Sequence, residues 1–139
     1  REGGEILYGG KRPSLESPFD EGSFLEPTIV SNLDYHSRTA TEEIFGPVVT
    51  LHKFEKDEDA VEMANCTEYG LAGSVWTSDS ARGKSLAEKI ETGMVWINTW
   101  LHRDLRVPFG GVKNSGVGTE GGRWSLSFFS QPVNICVKE

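Results

Sequence analysis

The alternation of strand-like and helix-like segments in the middle of the chain limits the fold more than any other feature of the sequence. Five segments follow one another: a strand at 48–54, a helix at 57–65, a strand at 71–77, a helix from Ser78 or Asp79 to 91, and a strand at 94–98. Apolar residues alternate or run together in the strands and recur at helical spacing in the helices. Connections this short predict parallel strands with right-handed crossovers, so we expect an α/β fold with a βαβαβ parallel sheet.

The flanking segments add shorter elements. We expect a strand at 5–8, and a helical turn within 35–43. An edge strand or an extended segment is predicted at 24–29, because Pro27 lies inside that run. A short helix is predicted at 123–129, and a last strand at 133–137 has one apolar face and a free end. That free end would let the last strand pair with another chain.

The charge balance and the few cysteines exclude several classes of function. The 139 residues carry a formal net charge of −7, which argues against a nucleic-acid partner because phosphate backbones are repelled. No apolar run approaches the length that spans a membrane. Cys66 and Cys136 are too few for a disulfide framework, so we expect a reducing, cytoplasmic compartment. The chain begins at Arg1 without an initiator methionine, which favours a fragment of a longer chain.

One motif suggests a chemistry that its context does not support. Gly116 to Gly121 matches the dinucleotide fingerprint GxGxxG, but a loop precedes it and too little chain follows it. We therefore interpret this motif as a glycine-rich turn.

Neither cysteine has a catalytic setting, and both are interpreted as small hydrophobic residues. The three histidines are too widely spaced to form a metal pattern.

Four blocks in a fixed order carry a resemblance to a known family. They are EEIFGPV at 42–48, YGLA at 69–72, GMVWIN at 93–98, and PFGGVK at 108–113, the last followed by Ser115, Gly116, Gly118 and Glu120. From about Gly9 to its end, the chain resembles the C-terminal part of the aldehyde dehydrogenase superfamily. The resemblance implies that residues 1–125 belong to a catalytic domain and 126–139 to an oligomerisation segment. It also implies two partners, the rest of the aldehyde dehydrogenase chain and further copies in a homo-oligomer.

The block at 42–48 implies a cofactor contact. Glu43 matches the carboxylate that holds the nicotinamide ribose hydroxyls, and Phe45 matches the aromatic residue that borders the nicotinamide ring. A carboxylate is able to accept hydrogen bonds from both hydroxyls of a ribose, each contributing roughly 1.5–3 kcal/mol. The alternative for Glu43 is a surface acid at a helix end. The implied cofactor is NAD, with NADP left open.

The segment W-x-x-R-D-L-R at 100–106 narrows the implied substrate. It is similar to the corresponding loop of the 2-hydroxymuconic and 2-aminomuconic semialdehyde dehydrogenases. In those enzymes an arginine at the position of Arg103 pairs with the substrate carboxylate, and a guanidinium binds a carboxylate through two parallel hydrogen bonds. Trp100 and Leu101 would line the same small-molecule aldehyde pocket. The alternative is that Arg103 pairs with Asp104 or Asp20 at the surface.

Three further roles follow from the block that starts at Pro108. Phe109 matches an aromatic residue of the substrate channel, and core packing is its alternative role. Glu120 matches an acid that relays protons in some relatives, or is an acid favoured by the positive end of a helix. Lys113 and Gly116 match positions whose backbone carbonyls hold a monovalent cation in some relatives.

The resemblance also implies what the chain lacks. The family's nucleophilic cysteine, general-base glutamate and nucleotide-binding domain lie upstream, so the 139 residues alone are expected to be inactive. The parent enzyme would oxidise a carboxylate-bearing semialdehyde, such as 2-hydroxy- or 2-aminomuconic semialdehyde, to the acid. Two alternatives stay open: a non-catalytic oligomerisation or interaction module that uses the strand at 133–137, and an aldehyde dehydrogenase for neutral aldehydes.

Overall fold

The computed structural model describes residues 2–139 and divides the chain into two compact units. The first unit ends at Thr67, and the second runs from Glu68 to Glu139. Each unit combines helices with a pair of parallel strands, so the α/β class is confirmed. The boundary expected between residues 125 and 126 stays a prediction.

A three-stranded sheet forms the first unit, in the order β1-β2-β3. β1 (Glu5–Tyr8) pairs antiparallel with β2 (Thr28–Ser31), which pairs parallel with β3 (Val48–Leu51). β2 is therefore the central strand, so the edge strand, one of the two alternatives for residues 24–29, is wrong; residues 24–27 form no strand. Pro27 is tolerated because it lies just before β2, where the amide of Thr28 donates to the carbonyl of Pro47 at 2.8 Å. The missing proline N–H thus removes no bond from the sheet.

Two helices complete the first unit. α1 (Arg38–Thr41) is the short turn expected before Gly46. α2 (Asp57–Asn65) has the predicted bounds, and Lys56 is its N-cap. Asp57 is one of three acids in the first turn, where the helix dipole favours negative charge.

The second unit contains one β-α-β unit and a short antiparallel pair of strands that are distant in sequence. β5 (Ala72–Val75) and β6 (Met94–Ile97) pair parallel and are connected through α3 (Ser80–Ala87). Asp79 caps α3, as expected, and accepts from the amides of Ala81 and Arg82 at 2.9 and 3.0 Å. β4 (Tyr69–Gly70) pairs antiparallel with β7 (Val112–Lys113). The three strands among the five predicted segments do not form one βαβαβ sheet: β3 pairs with β2 in the first unit, and β5 pairs with β6 in the second.

The C-terminal segment starts with α4 (Gly122–Phe129), which confirms the last predicted helix. The expected strand at 133–137 is not formed, because none of residues 2–139 pairs with its backbone. Val133, Ile135 and Val137 are 79–82% exposed. Apolar surface of this kind is typical of a segment that another chain or domain covers. Within residues 2–139, no helix has the length and apolarity needed to cross a bilayer.

Candidate functional site

Both residues matched to cofactor contacts lie in the first unit, and one of them, Glu43, lines a groove. Its volume is about 630 Å³, and its walls combine aliphatic and charged side chains. Glu43 and the neighbouring Glu42 both line it, together with Arg38 of α1. The groove therefore presents carboxylates beside apolar surface, which suits a ligand that has hydroxyls and a flat ring.

The two neighbouring carboxylates differ in their partners. Arg38 donates from Nε to Oε2 of Glu42 at 2.6 Å, and this hydrogen bond raises the pKa of Arg38. No hydrogen bond reaches the side chain of Glu43 from any of residues 2–139. Glu43 is thus the carboxylate of the pair whose oxygens can accept from a ligand.

Phe45 combines a strained backbone with an exposed ring. Its φ is +55°, in the left-handed region, and its side chain is 92% exposed. A non-glycine residue in this region costs about 1–3 kcal/mol, and exposing a phenyl ring forfeits its burial energy. The chain just beyond it is fixed, since Pro47 accepts from Thr28 at 2.8 Å. Two unfavourable features at one residue point to a contact outside the unit, although the roles of Glu43 and Phe45 stay predictions.

In the second unit, Arg103, Phe109 and Glu120 lie together, although the resemblance implies a separate role for each. We call these three residues the arginine–aromatic cluster. Cζ of Arg103 lies 4.1 Å from the ring centroid of Phe109. Nη2 of Arg103 lies 3.6 Å from Oε2 of Glu120. Phe109 and Glu120 are joined by two backbone hydrogen bonds of 2.8 and 2.9 Å. This backbone pair holds the ring and the carboxylate side by side beneath one guanidinium.

The carboxylate next to Arg103 is that of Glu120 and not that of Asp104, one of the two partners considered from the sequence. Pairing with Asp104 is wrong, because Asp104 binds Arg106 through Oδ2 and Nη2 at 2.5 Å. Hydrogen bonds from the Arg106 side chain and backbone hold the pKa of Asp104 below its usual range. Arg103 keeps a side chain that is 48% exposed, so its N–H groups remain open to solvent.

The loop that carries Arg103 is anchored by a residue that the sequence analysis missed. Trp96 donates from Nε1 to the carbonyl of His102 at 2.8 Å, and its ring meets that of Trp100 edge to face at 5.1 Å. Leu101 between them has a φ of +55° and an exposed side chain. The two tryptophans four residues apart were the available signal. Trp100 and Leu101 thus form an exposed apolar rim next to Arg103 in sequence.

The glycine-rich segment is a turn, as interpreted from its context. Residues 114–119 form turns and bends that lead to α4, which has only eight residues. Lys113 has a φ of +53°, and its Nζ lies 2.7 Å from Glu91. Binding of a monovalent cation by the carbonyls of Lys113 and Gly116 stays a prediction.

Cys66 has the setting of a structural thiol. Its Sγ donates towards the carbonyls of Met63 at 3.1 Å and Tyr35 at 3.4 Å. Both contacts are with backbone oxygens, whereas a nucleophilic cysteine is activated by a neighbouring cation, a histidine or a helix N-terminus. Cys136 lies exposed in the terminal segment.

Comparisons with known proteins agree on one family. The profile of the aldehyde dehydrogenase family matches residues 1–135, which confirms the resemblance. The 2-hydroxymuconic semialdehyde dehydrogenase of Pseudomonas sp. (strain CF600) is 44% identical over 137 residues, which cover 99% of this chain and 28% of that protein. The 2-aminomuconic semialdehyde dehydrogenase of Homo sapiens is 42% identical over 139 residues, with the same two coverages.

A solved structure gives the same result at the level of the fold. Betaine aldehyde dehydrogenase from Staphylococcus aureus, determined in complex with NAD+, superposes with a TM-score of 0.84 and is 39% identical. That similarity covers 99% of this chain and 29% of the other. The chain thus spans less than a third of the length of the proteins that it resembles.

Proposed function

Because the chain belongs to the aldehyde dehydrogenase family, we propose that it forms part of an NAD-dependent enzyme that oxidises a carboxylate-bearing semialdehyde to a dicarboxylic acid. The observation that carries this proposal is the half-exposed side chain of Arg103, whose guanidinium is stacked on the ring of Phe109. Two relatives named for muconic semialdehydes support the same substrate class. The 2-hydroxy and 2-amino forms both fit this chemistry.

Arg103 is suited to bind the carboxylate end of the substrate. Its distance of 3.6 Å to Glu120 exceeds that of a hydrogen bond, so the N–H donors are not satisfied by that carboxylate. Stacking on Phe109 fixes the plane of the guanidinium, which reduces the entropy lost when two parallel hydrogen bonds form. Trp100 and Leu101 would contact the carbon chain of the substrate.

Glu43 and Phe45 suit the nicotinamide end of the cofactor. Glu43 offers a carboxylate with no side-chain hydrogen bond from residues 2–139, and Phe45 offers an exposed ring face. When bound, NAD supplies the acceptor for the hydride that leaves the aldehyde carbon. Glu43 would accept from the two ribose hydroxyls, and Phe45 would limit the positions open to the nicotinamide ring.

The remaining catalytic groups are proposed to come from outside these residues. Cys66 is bound as a donor to two carbonyls, which argues against it as the nucleophile. Glu120 would relay a proton during release of the acid, since its carboxylate is 67% exposed and free to move. We therefore expect the 139-residue chain alone to produce no NADH from an aldehyde, whereas the full-length protein does. Activity of the isolated chain would overturn this division of roles.

The carboxylate proposal is tested by kinetics on the full-length protein with two matched substrates, a semialdehyde and its methyl ester. Arg103→Gln removes the charge, so we expect KM for the semialdehyde to rise about 10- to 100-fold, the equivalent of roughly 1.5–3 kcal/mol for hydrogen bonds to a charged group. KM for the ester should change less than about 2-fold. Arg106→Gln is the matched control, because that arginine is already bound to Asp104. Equal effects of Arg103→Gln on both substrates would contradict the proposal.

The terminal segment is proposed to act as an oligomerisation strand. Its apolar face carries Val133, Ile135 and Val137, all exposed in the single chain. A backbone without a partner among residues 2–139 is ready to pair with a strand of another chain. Ile135→Asp should lower the mass of the full-length protein in light scattering, and Asn134→Asp on the opposite face should not. An unchanged mass for Ile135→Asp would refute this role and favour a segment covered within its own chain.

A further inference from the structure

The arginine–aromatic cluster contains a carboxylate of the protein, that of Glu120, next to the guanidinium of Arg103. Oε2 of Glu120 lies 3.6 Å from Nη2 of Arg103. A substrate carboxylate that binds Arg103 therefore meets a like charge close to its binding position. At such separations like charges repel, and the effect is reduced but not removed by solvent.

We propose that Glu120 is a built-in competitor for Arg103 that sets how strongly the site selects anionic aldehydes. The proposal rests on the proposed function, since it requires that Arg103 binds the substrate carboxylate. Glu120 makes a long ionic contact of 3.6 Å with the guanidinium while no substrate is bound, and the substrate carboxylate replaces this contact with hydrogen bonds. An aldehyde without a carboxylate leaves the Arg103–Glu120 pair in place.

The contacts argue that Glu120 competes for Arg103 and is not what positions it. The guanidinium is already located by the face of Phe109, with Cζ 4.1 Å from the ring centroid. The link between Phe109 and Glu120 uses backbone atoms only, so it survives a change of the Glu120 side chain. The Glu120 side chain is 67% exposed and makes only a long contact with Arg103. It can therefore swing into solvent at little cost when a better-aligned carboxylate arrives.

Competition has a consequence that a proton relay alone does not have. Loss of the relay slows turnover of every aldehyde to the same extent and leaves the charge preference unchanged. Loss of the competitor strengthens binding of the semialdehyde and leaves the ester unaffected. The ratio of KM values for ester and semialdehyde thus separates the two roles of Glu120.

The test is Glu120→Gln in the full-length protein, with the semialdehyde and its methyl ester as probes. Glutamine keeps the shape and the backbone pair while it removes the charge. We expect KM for the semialdehyde to fall about 1.5- to 5-fold, the range that corresponds to an exposed ion pair. KM for the ester should stay constant, and any fall in kcat should be equal for both substrates. The ester thus also reports a variant that is merely misfolded, because both substrates would then change together.

Two further variants complete the test. In Arg103→Gln/Glu120→Gln the gain should disappear, because the competitor no longer has a target. Glu91→Gln removes a carboxylate of the same unit that contacts Lys113, and it should leave the KM ratio unchanged. An unchanged or raised KM of Glu120→Gln for the semialdehyde would overturn the competitor. If Arg103→Gln still raises KM for the semialdehyde far more than KM for the ester in that case, the proposed function survives and only the role of Glu120 fails.

Discussion

Gly121 offers a sharp test of how the glycine-rich turn supports the arginine–aromatic cluster. This residue has a φ of +93° and is the N-cap of α4. A Cβ added to it would lie 2.1 Å from the carbonyl oxygen of Val107, whereas real Cβ atoms essentially never approach within 3.0 Å. The backbones at Gly121 and Val107 would therefore have to separate by about 0.9 Å. Glu120 is the preceding residue, so the displacement would reach the backbone pair with Phe109.

The magnitude follows from two contributions. A non-glycine residue at such a φ costs about 1–3 kcal/mol, and the forced backbone shift costs about as much again, as overpacking does. We expect Gly121→Ala to destabilise the protein by roughly 2–6 kcal/mol. Because the ring and the carboxylate beside Arg103 would shift, KM for the semialdehyde should rise as well.

Gly116→Ala is the matched control in the same turn. Its added Cβ would meet its nearest atom, the amide nitrogen of Gly111, at 3.4 Å, which is ordinary contact. Calorimetric melting of the full-length variants, followed by KM measurements below the melting temperature, compares the two. A melting temperature of Gly121→Ala as high as that of Gly116→Ala would refute the reasoning from close backbone approach.

Three other changes have defined outcomes. Asp79→Ala removes the cap of α3 and should lower stability by about 1 kcal/mol, whereas Asp79→Asn should retain most of it; equal melting temperatures for the two variants would contradict this. Trp96→Phe keeps the ring but loses the 2.8 Å bond to His102, and we expect a 2- to 10-fold higher KM for the semialdehyde, from about 0.5–1.5 kcal/mol. An unchanged KM would mean that the loop holds its shape without that bond. Arg106 lowers the pKa of Asp104. The ion pair therefore stabilises the fold fully above about pH 4, and this stabilisation is lost as the pH falls through the lowered pKa. In carboxyl NMR titration Arg106→Gln should return the pKa of Asp104 towards its usual value, and an unmoved pKa would contradict the assignment.

Elements with a strong local signal were predictable from the sequence. α2 was expected at 57–65 and β1 at 5–8, and both have these bounds. Their signals lie within a few residues: apolar residues at helical spacing in one case, and a short β-rich run between glycine pairs in the other. Local patterns specify such elements without reference to distant contacts.

Pairing between distant segments was not predictable in the same way. β2 is the central strand despite Pro27, because it pairs with residues 5–8 on one side and with residues 48–51 on the other. Both partners lie far away in sequence, so a local pattern does not indicate them. The terminal segment at 133–137 has the alternation of a strand but lacks a partner among residues 2–139. A strand is a property of two backbones, and one sequence pattern specifies only one of them.

In the candidate site, the sequence indicated which residues matter, but not which of them are in contact. The resemblance assigned Arg103, Phe109 and Glu120 to separate roles, and these roles stay predictions. Their contact depends on the backbone pair between Phe109 and Glu120, eleven residues apart, and no spacing rule indicates it. Only the folded turn brings the carboxylate next to the guanidinium.

The proposed function depends above all on Arg103 as the carboxylate-binding arginine of an aldehyde dehydrogenase. The most direct measurement is the ratio of kcat/KM for a semialdehyde and for its methyl ester, determined on the unmodified full-length protein. Charge-assisted hydrogen bonding to Arg103 predicts a preference for the semialdehyde of at least about tenfold, since it contributes roughly 1.5 kcal/mol or more. Equal values, or a preference for the ester, would contradict the claim and favour an enzyme for neutral aldehydes.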